Sequence, residues 1–213
     1  MSDEEKSFFF YQPPISKRRR APHRRPKLTF ILIGACALIY LLEFFTPIWD
    51  SFAFVPANLL TQPWTLITSI FLHAGIDHLF FNMFALFIFG VYLEPRVSTK
   101  QYLFIFFTAG ILGNMAYWLT SPYGAIPAVG ASGAIYGIMA MLAVLYPGLV
   151  VYVGFAPMPM IFAAVLWFVL EFTGLFVPSD IAHQAHIAGL LAGVAYGLYI
   201  RRQRSKFVYF WQK

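Results

Sequence analysis

Six separate apolar runs constrain this chain more than any other feature. Broken by proline, glycine or charge, they fall at roughly 28–46, 65–92, 101–120, 130–147, 159–177 and 183–200. A helix needs about 20 residues to cross a hydrocarbon core about 30 Å thick, and most of these runs are that long. Hydrophobic residues make up 60% of the 213 and charged residues only 11%, against about half and about a quarter in a soluble domain. A soluble core of this size would leave much of that apolar surface in water. The expectation is an all-α, polytopic membrane protein, a bundle of six transmembrane helices over residues 28–200.

Charge is placed as membrane topology requires. The net charge is +6, and the basic residues sit almost entirely between Lys17 and Lys27 and between Arg201 and Lys206. The second loop carries Arg96 and Lys100 beside Glu94, whereas the first, third and fifth loops contain no Lys or Arg. Lys and Arg are retained on the cytoplasmic side, so both termini and the even-numbered loops are expected there. Nucleic-acid binding would need groove-reading or stacking residues on an exposed domain, and no such domain is present, so no nucleic-acid partner is expected. Residues 1–27, polar and punctuated by Pro13, Pro14, Pro22 and Pro26, read as a disordered basic tail. The acidic opening Asp3, Glu4, Glu5 is unlike a mitochondrial presequence, and the following run is too long and lacks the cleavage site of a signal peptide. Residues 201–213 read as a second basic tail. Cys36 is the single cysteine, which excludes an intrachain disulfide.

Three connections depart from a plain bundle. The first loop, roughly 47–64, is long and apolar and is expected to lie in the membrane interface. The fourth, Gly148 to Pro159, is broken by Gly154, Pro157 and Pro159 and reads as an extended segment. If the fourth helix runs from Gly130 to Pro147 it is about 25 Å long, shorter than the hydrocarbon core. Its first turn then lies below the outer surface, where irregular backbone is tolerated only beside protein or a water-filled cavity.

Gly130-Ala131-Ser132-Gly133 falls at that start. Alone, such a segment is most simply a close-packing motif. Four of the five histidines, His73, His78, His183 and His186, lie in or beside predicted spans, where ionisable groups are costly and mark function. On the sixth helix His186 shares a face with Gly193, and Gly189, Gly193 and Gly197 supply a run of small residues. On the fourth, Gly133 and Gly137 make a second small-residue stripe, with Ser132 and Tyr136 stacked four apart. Two glycine-faced helices can approach closely enough for Ser132 to reach His186, the arrangement an activated serine needs. His183, off the glycine stripe, is expected to be structural or lining. His78 and Asn82, four apart on the second helix, read either as mutually satisfied polar groups or, more sharply, as donors of an oxyanion site completed by the Ser132 backbone N–H. Glu171, the single acid of the fifth span, is expected to hydrogen-bond inside the bundle or reach the outer interface.

Taken together and in order, these residues resemble the rhomboid family of intramembrane serine proteases. The resemblance rests on His73, His78 and Asn82 in the second span, G-x-S-G at 130–133 followed by Tyr136, Glu94-x-Arg96 closing the second span, and A-H-x-x-G-x-x-x-G from Ala185 to Gly193. It implies a Ser132/His186 dyad with no required carboxylate, metal or cofactor, and an oxyanion site from His78, Asn82 and the Ser132 backbone. Gly130, Gly133, Gly189 and Gly193 are the supporting glycines. It also implies Tyr136 packed on the His186 ring and Glu94 with Arg96 as a structural pair. Trp64-Thr65 departs from the Trp-Arg of many members. The implied substrates are transmembrane proteins cut in or next to their membrane segments. The implied place is a prokaryotic plasma membrane, with the site opening toward the outer face. Membrane lipid is the other partner, and neither substrate nor oligomeric state is specified.

Two other classes compete. A proteolytically inactive relative that binds or dislocates membrane proteins would have no need of both Ser132 and His186. A transporter or metal carrier built on the histidines would be expected to show an H-E-x-x-H motif or several buried acids, and the spans contain neither.

Overall fold

The computed structural model describes residues 25–121, 123–153, 156–179 and 181–210. Most of the expected N-terminal tail lies outside the described residues. Ten elements follow in order: α1 (Lys27–Glu43), α2 (Trp49–Phe52), α3 (Thr65–Thr68), α4 (Ile76–Leu93), α5 (Thr99–Thr120), α6 (Ser132–Leu145), β1 (Val150–Val153), β2 (Ala156–Pro159), α7 (Met160–Gly174) and α8 (His183–Phe210). Single 3-10 turns occupy Pro56–Asn58, Ser69–Phe71 and Glu94–Arg96.

The mostly helical class expected from the apolar runs is present. Among the described residues, Ile76–Arg96 and Thr99–Thr120 are long and apolar enough to cross a membrane, and Ser132–Leu145 and Met160–Gly174 are shorter apolar helices. The expected second span, 65–92, is not one helix. Its first part is α3 and a 3-10 turn, and the chain is extended at Leu72 before α4 starts at Ile76. Hydropathy alone sees no break there, because Ile70, Phe71 and Leu72 are apolar whether or not they are helical. Helix α8 continues past residue 200, the expected end of the sixth span, to Phe210. A basic sequence such as Arg201 to Lys206 is a good helix former once a helix leads into it.

Helix α6 occupies the middle. It packs most extensively against α8 and α5, and also touches α4 and α7. Gly133 to Ile135 and Gly137 to Ala143 are buried on all sides, whereas α4 and α7 turn large apolar side chains outward, among them Phe80, Phe81, Phe84, Phe162, Leu166 and Leu170. Small residues where helices touch, with large apolar side chains also turned outward, is the arrangement expected where lipid surrounds the bundle: tails are as apolar as leucine, so helices associate by close packing. A methyl group at Gly189 would overlap the carbonyl oxygen of Gly133, and one at Gly193 the carbonyl oxygen of Gly137. The α6 and α8 backbones therefore meet with no side chain between them, along the two stripes read from the sequence.

At the opposite end from Ser132, Glu94 anchors α1. Helix α1 has no side-chain cap of its own, and the Glu94 carboxylate accepts hydrogen bonds from Leu28 N at 2.9 Å, Thr29 N at 2.8 Å and Thr29 Oγ1 at 2.8 Å. A carboxylate there satisfies first-turn N–H groups and faces the positive end of the helix dipole. The expected pairing of Glu94 with Arg96 is not what the structure brings together. Arg96 Nη1 donates to Tyr92 O at 2.6 Å, and its guanidinium lies over the rings of Tyr92 and Tyr146. A residue pair two apart at a helix end points in different directions, and the first-turn N–H groups of α1 supply the donors that the Glu94 carboxylate takes.

The fourth connection, read as extended, forms a two-stranded antiparallel hairpin with Val150 opposite Pro159 and Val153 opposite Ala156.

Candidate active site

Ser132 is the first residue of α6, a helix of 14 residues that is about 21 Å long. No side chain caps that helix, so the N–H groups of its first turn are without intrahelical acceptors. The backbone entering it is held from the side. Gly130 N donates to Ser69 O at 2.9 Å. Asn114 Nδ2 on α5 in turn donates to Ser69 Oγ and to Leu66 O, both at 2.9 Å. Upstream, Phe54 and Ala128 form an antiparallel bridge that ties the first loop to the approach of α6. Gly130 has φ +118°, a left-handed conformation that L side chains rarely adopt, and the His78 ring fills the space where a Cβ would stand.

The close packing of α6 and α8 delivers Ser132 to His186. His186 Nε2 lies 2.7 Å from Ser132 Oγ. The Tyr136 ring, one turn further along α6, stacks on the His186 ring with centroids 4.7 Å apart and planes 14° from parallel, the packing that the resemblance implied.

The other side of His186 faces a residue that sequence reasoning left without a role. Glu171 Oε2, from α7, lies 2.9 Å from His186 Nδ1. The distance is within hydrogen-bonding range, yet Nδ1 makes no aligned hydrogen bond, so the contact is electrostatic with the N–H direction off the oxygen. The same Oε2 receives His183 Nδ1 at 2.6 Å, and the Tyr136 hydroxyl donates to Oε1. His183 Nε2 lies 3.0 Å from Ser179 Oγ. Gly174, one turn beyond Glu171, leaves the space that the His183 ring occupies. His183 is therefore a support of the Glu171 carboxylate. Glu171, His183 and His186 each present one donor atom within 4.8 Å of the others, a set whose chemistry would also suit a divalent cation. The signal in the sequence was the lone acid in an apolar span; its partners lie on two other helices and could not be read from spacing.

Two expected site residues make no hydrogen bond to the serine. Asn82 is buried, and its Nδ2 donates to His78 O at 2.9 Å within α4, while its Oδ1 has no partner. His78 Nδ1 accepts from Ala74 N at 3.4 Å, and its ring lies 5.3 Å from that of His73. Neither side chain is hydrogen-bonded to Ser132. His73, fully buried, is held by Phe71 O at 3.2 Å. Thr65, where many relatives of the resembled family carry Arg, is buried and donates to Gln62 O at 2.6 Å.

Within this apolar helical bundle a serine hydroxyl at a helix start lies against an imidazole, a pairing from which an activated nucleophile can be built. Comparison with known proteins gives the family. A family model of the Rhomboid domain matches residues 60–203, and the chain belongs to the rhomboid family. It is 34% identical over 135 residues to the rhomboid protease GluP of Bacillus subtilis, an alignment covering 61% of this chain and 24% of that protein. It is 33% identical over 137 residues to RHOMBOID-like protein 5 of Arabidopsis thaliana, covering 64% and 43%. Identity is 37% over 91 residues with Rhomboid-like protease 3 of Toxoplasma gondii, covering 43% and 34%. The chain thus spans less than half the length of each of these relatives. Family and apolar helices together mark it as a membrane protein of the rhomboid family.

Proposed function

We propose that the protein is an intramembrane serine endopeptidase that cleaves peptide bonds within or next to transmembrane segments of other membrane proteins. The observation that carries this reading is the 2.7 Å contact between His186 Nε2 and Ser132 Oγ. An acceptor Nε2 takes the hydroxyl proton as Oγ bonds to the substrate carbonyl carbon. It then gives that proton to the amine as the C–N bond breaks, and water repeats the sequence on the acyl-enzyme.

The carbonyl oxygen becomes an oxyanion in the first step. The uncapped start of α6 offers the Ser132 N–H and the positive end of the helix dipole. Asn82 and His78 complete the oxyanion site by turning toward the substrate. In this reading residues 28–200 form the six-span protease domain with basic cytoplasmic segments before and after it, and the site opens toward the outer face of a prokaryotic plasma membrane. Substrates with easily unwound helices and a small residue at the cut are favoured, because a helical peptide bond shields its carbonyl.

The test is cleavage of a synthetic transmembrane substrate by the purified protein, with fluorophosphonate labelling in parallel. Ser132→Ala and His186→Ala are expected to abolish both. Cleavage that persists in Ser132→Ala overturns the proposal, and absence of labelling in the parent protein leaves a non-proteolytic client-binding role in its place.

A further inference from the structure

Glu171 faces the catalytic pair from a third helix, and we infer that it is a positioning residue for His186, so that this chain works with a carboxylate behind the base instead of a bare dyad. The inference rests on the proposed Ser132/His186 chemistry. Its basis is a tautomer argument. For His186 Nε2 to accept the Ser132 proton across 2.7 Å, the neutral ring must carry its hydrogen on Nδ1. The Glu171 carboxylate stands 2.9 Å from that atom, on the opposite side of the ring from the serine.

Glu171 is itself fixed. The Tyr136 hydroxyl supplies a donor to Oε1 and His183 Nδ1 a donor to Oε2 at 2.6 Å. If His183 gives its Nδ1 hydrogen to Glu171, its Nε2 is an acceptor, and Ser179 Oγ at 3.0 Å is placed to donate to it. The Tyr136 and His183 protons are then both directed at Glu171, the pattern expected around an ionised, acceptor-only carboxylate. Tyr136 acts twice, clamping the His186 ring by stacking and the carboxylate by its hydroxyl.

During attack the Ser132 proton passes to Nε2 as the Oγ–C bond forms, which leaves an imidazolium with hydrogens on both nitrogens. The Glu171 carboxylate, 2.9 Å from Nδ1, stabilises the imidazolium by its negative charge without taking the proton. When the C–N bond breaks, the Nε2 proton leaves with the amine and the ring is neutral again. The carboxylate thus selects the tautomer before the reaction and offsets the charge during it, the logic by which a third residue supports a Ser–His pair on unrelated folds.

Glu171→Gln keeps the volume and can keep the Tyr136 and His183 contacts while removing the charge. The full-length protein in detergent is compared with Glu171→Gln, Glu171→Asp and Ser132→Ala. The measurements are fluorophosphonate labelling rate, kcat and KM on a synthetic transmembrane substrate, and thermal midpoint. Expected for Glu171→Gln is a loss of about tenfold or more in kcat with KM changed less than about twofold, and an equal slowing of labelling, since labelling needs the activated hydroxyl but no transmembrane substrate. Glu171→Asp is expected to recover part of both rates. A Glu171→Gln protein that labels and turns over at the parent rate while Ser132→Ala is dead overturns the positioning role and leaves the protease assignment intact. So does a lower thermal midpoint with unchanged labelling of the folded fraction. Labelling of the parent protein that is lost with EDTA and restored by zinc overturns it in favour of a metal held by Glu171, His183 and His186.

Discussion

The Tyr136 ring lies against that of His186, centroids 4.7 Å apart and planes 14° from parallel, while its hydroxyl donates to Glu171. One side chain of α6 thereby sets the orientation of a histidine on α8 and a carboxylate on α7. Stacked rings of this kind contribute about 0.5–1.5 kcal/mol beyond their buried area. Tyr136→Phe keeps the stack and loses only the hydroxyl, whereas Tyr136→Ala loses both. Rates of fluorophosphonate labelling are expected to fall severalfold in Tyr136→Phe and about tenfold or more in Tyr136→Ala, at 1.4 kcal/mol per factor of ten.

Asn82 contributes nothing to holding Ser132, since its Nδ2 is bound to His78 O and its Oδ1 is unpartnered. A donor that turns to the oxyanion only when substrate arrives acts on the transition state alone. Asn82→Ala is expected to lower kcat by about 10²–10³ with KM little changed. Steady-state kinetics with a synthetic substrate give the answer, and a rise in KM at constant kcat would assign Asn82 to substrate binding instead.

The α6–α8 contact has no room for a methyl group at Gly189, which would meet the carbonyl oxygen of Gly133. Gly189→Ala is expected to cost about 1–3 kcal/mol of stability, as overpacking does elsewhere, and also to separate Ser132 from His186. Thermal unfolding in detergent measures the first effect, and labelling of the fraction that remains folded measures the second. Gly34, where nothing lies within 4 Å of an added Cβ, is the matched control and should tolerate Ala.

Glu94 is 5% exposed and accepts three hydrogen bonds from Leu28 and Thr29. Glu94→Gln leaves one acceptor oxygen for those donors and puts an amide opposite the N-terminus of α1. A loss of about 1–3 kcal/mol of stability is expected, with labelling of Ser132 per folded molecule unchanged, because the change lies at the far end of the bundle. Arg96→Gln should cost less, since its partners are the Tyr92 carbonyl and two ring faces.

The order of the apolar runs, the small-residue stripes and the Ser132/His186 approach were legible because each follows from a local rule. Apolar helices follow from length and composition, and the glycines mark where two helix backbones can touch. The break near Leu72 was not legible, because an apolar stretch looks the same whether it is helical or extended. The Glu94–Arg96 expectation failed for a related reason: proximity in sequence at a helix end says little about where two side chains point.

What the sequence by itself determined is which helices meet and which serine and histidine they carry, since glycine at 133, 137, 189 and 193 leaves few other ways to pack α6 on α8. What only the tertiary structure decided is what stands behind the histidine. Glu171 comes from α7, 15 residues before His186 and on another helix, and its carboxylate reaches His186 because Tyr136 and His183 hold it there. A buried charge is fixed by partners from every element around it, and no periodicity within one helix records that meeting.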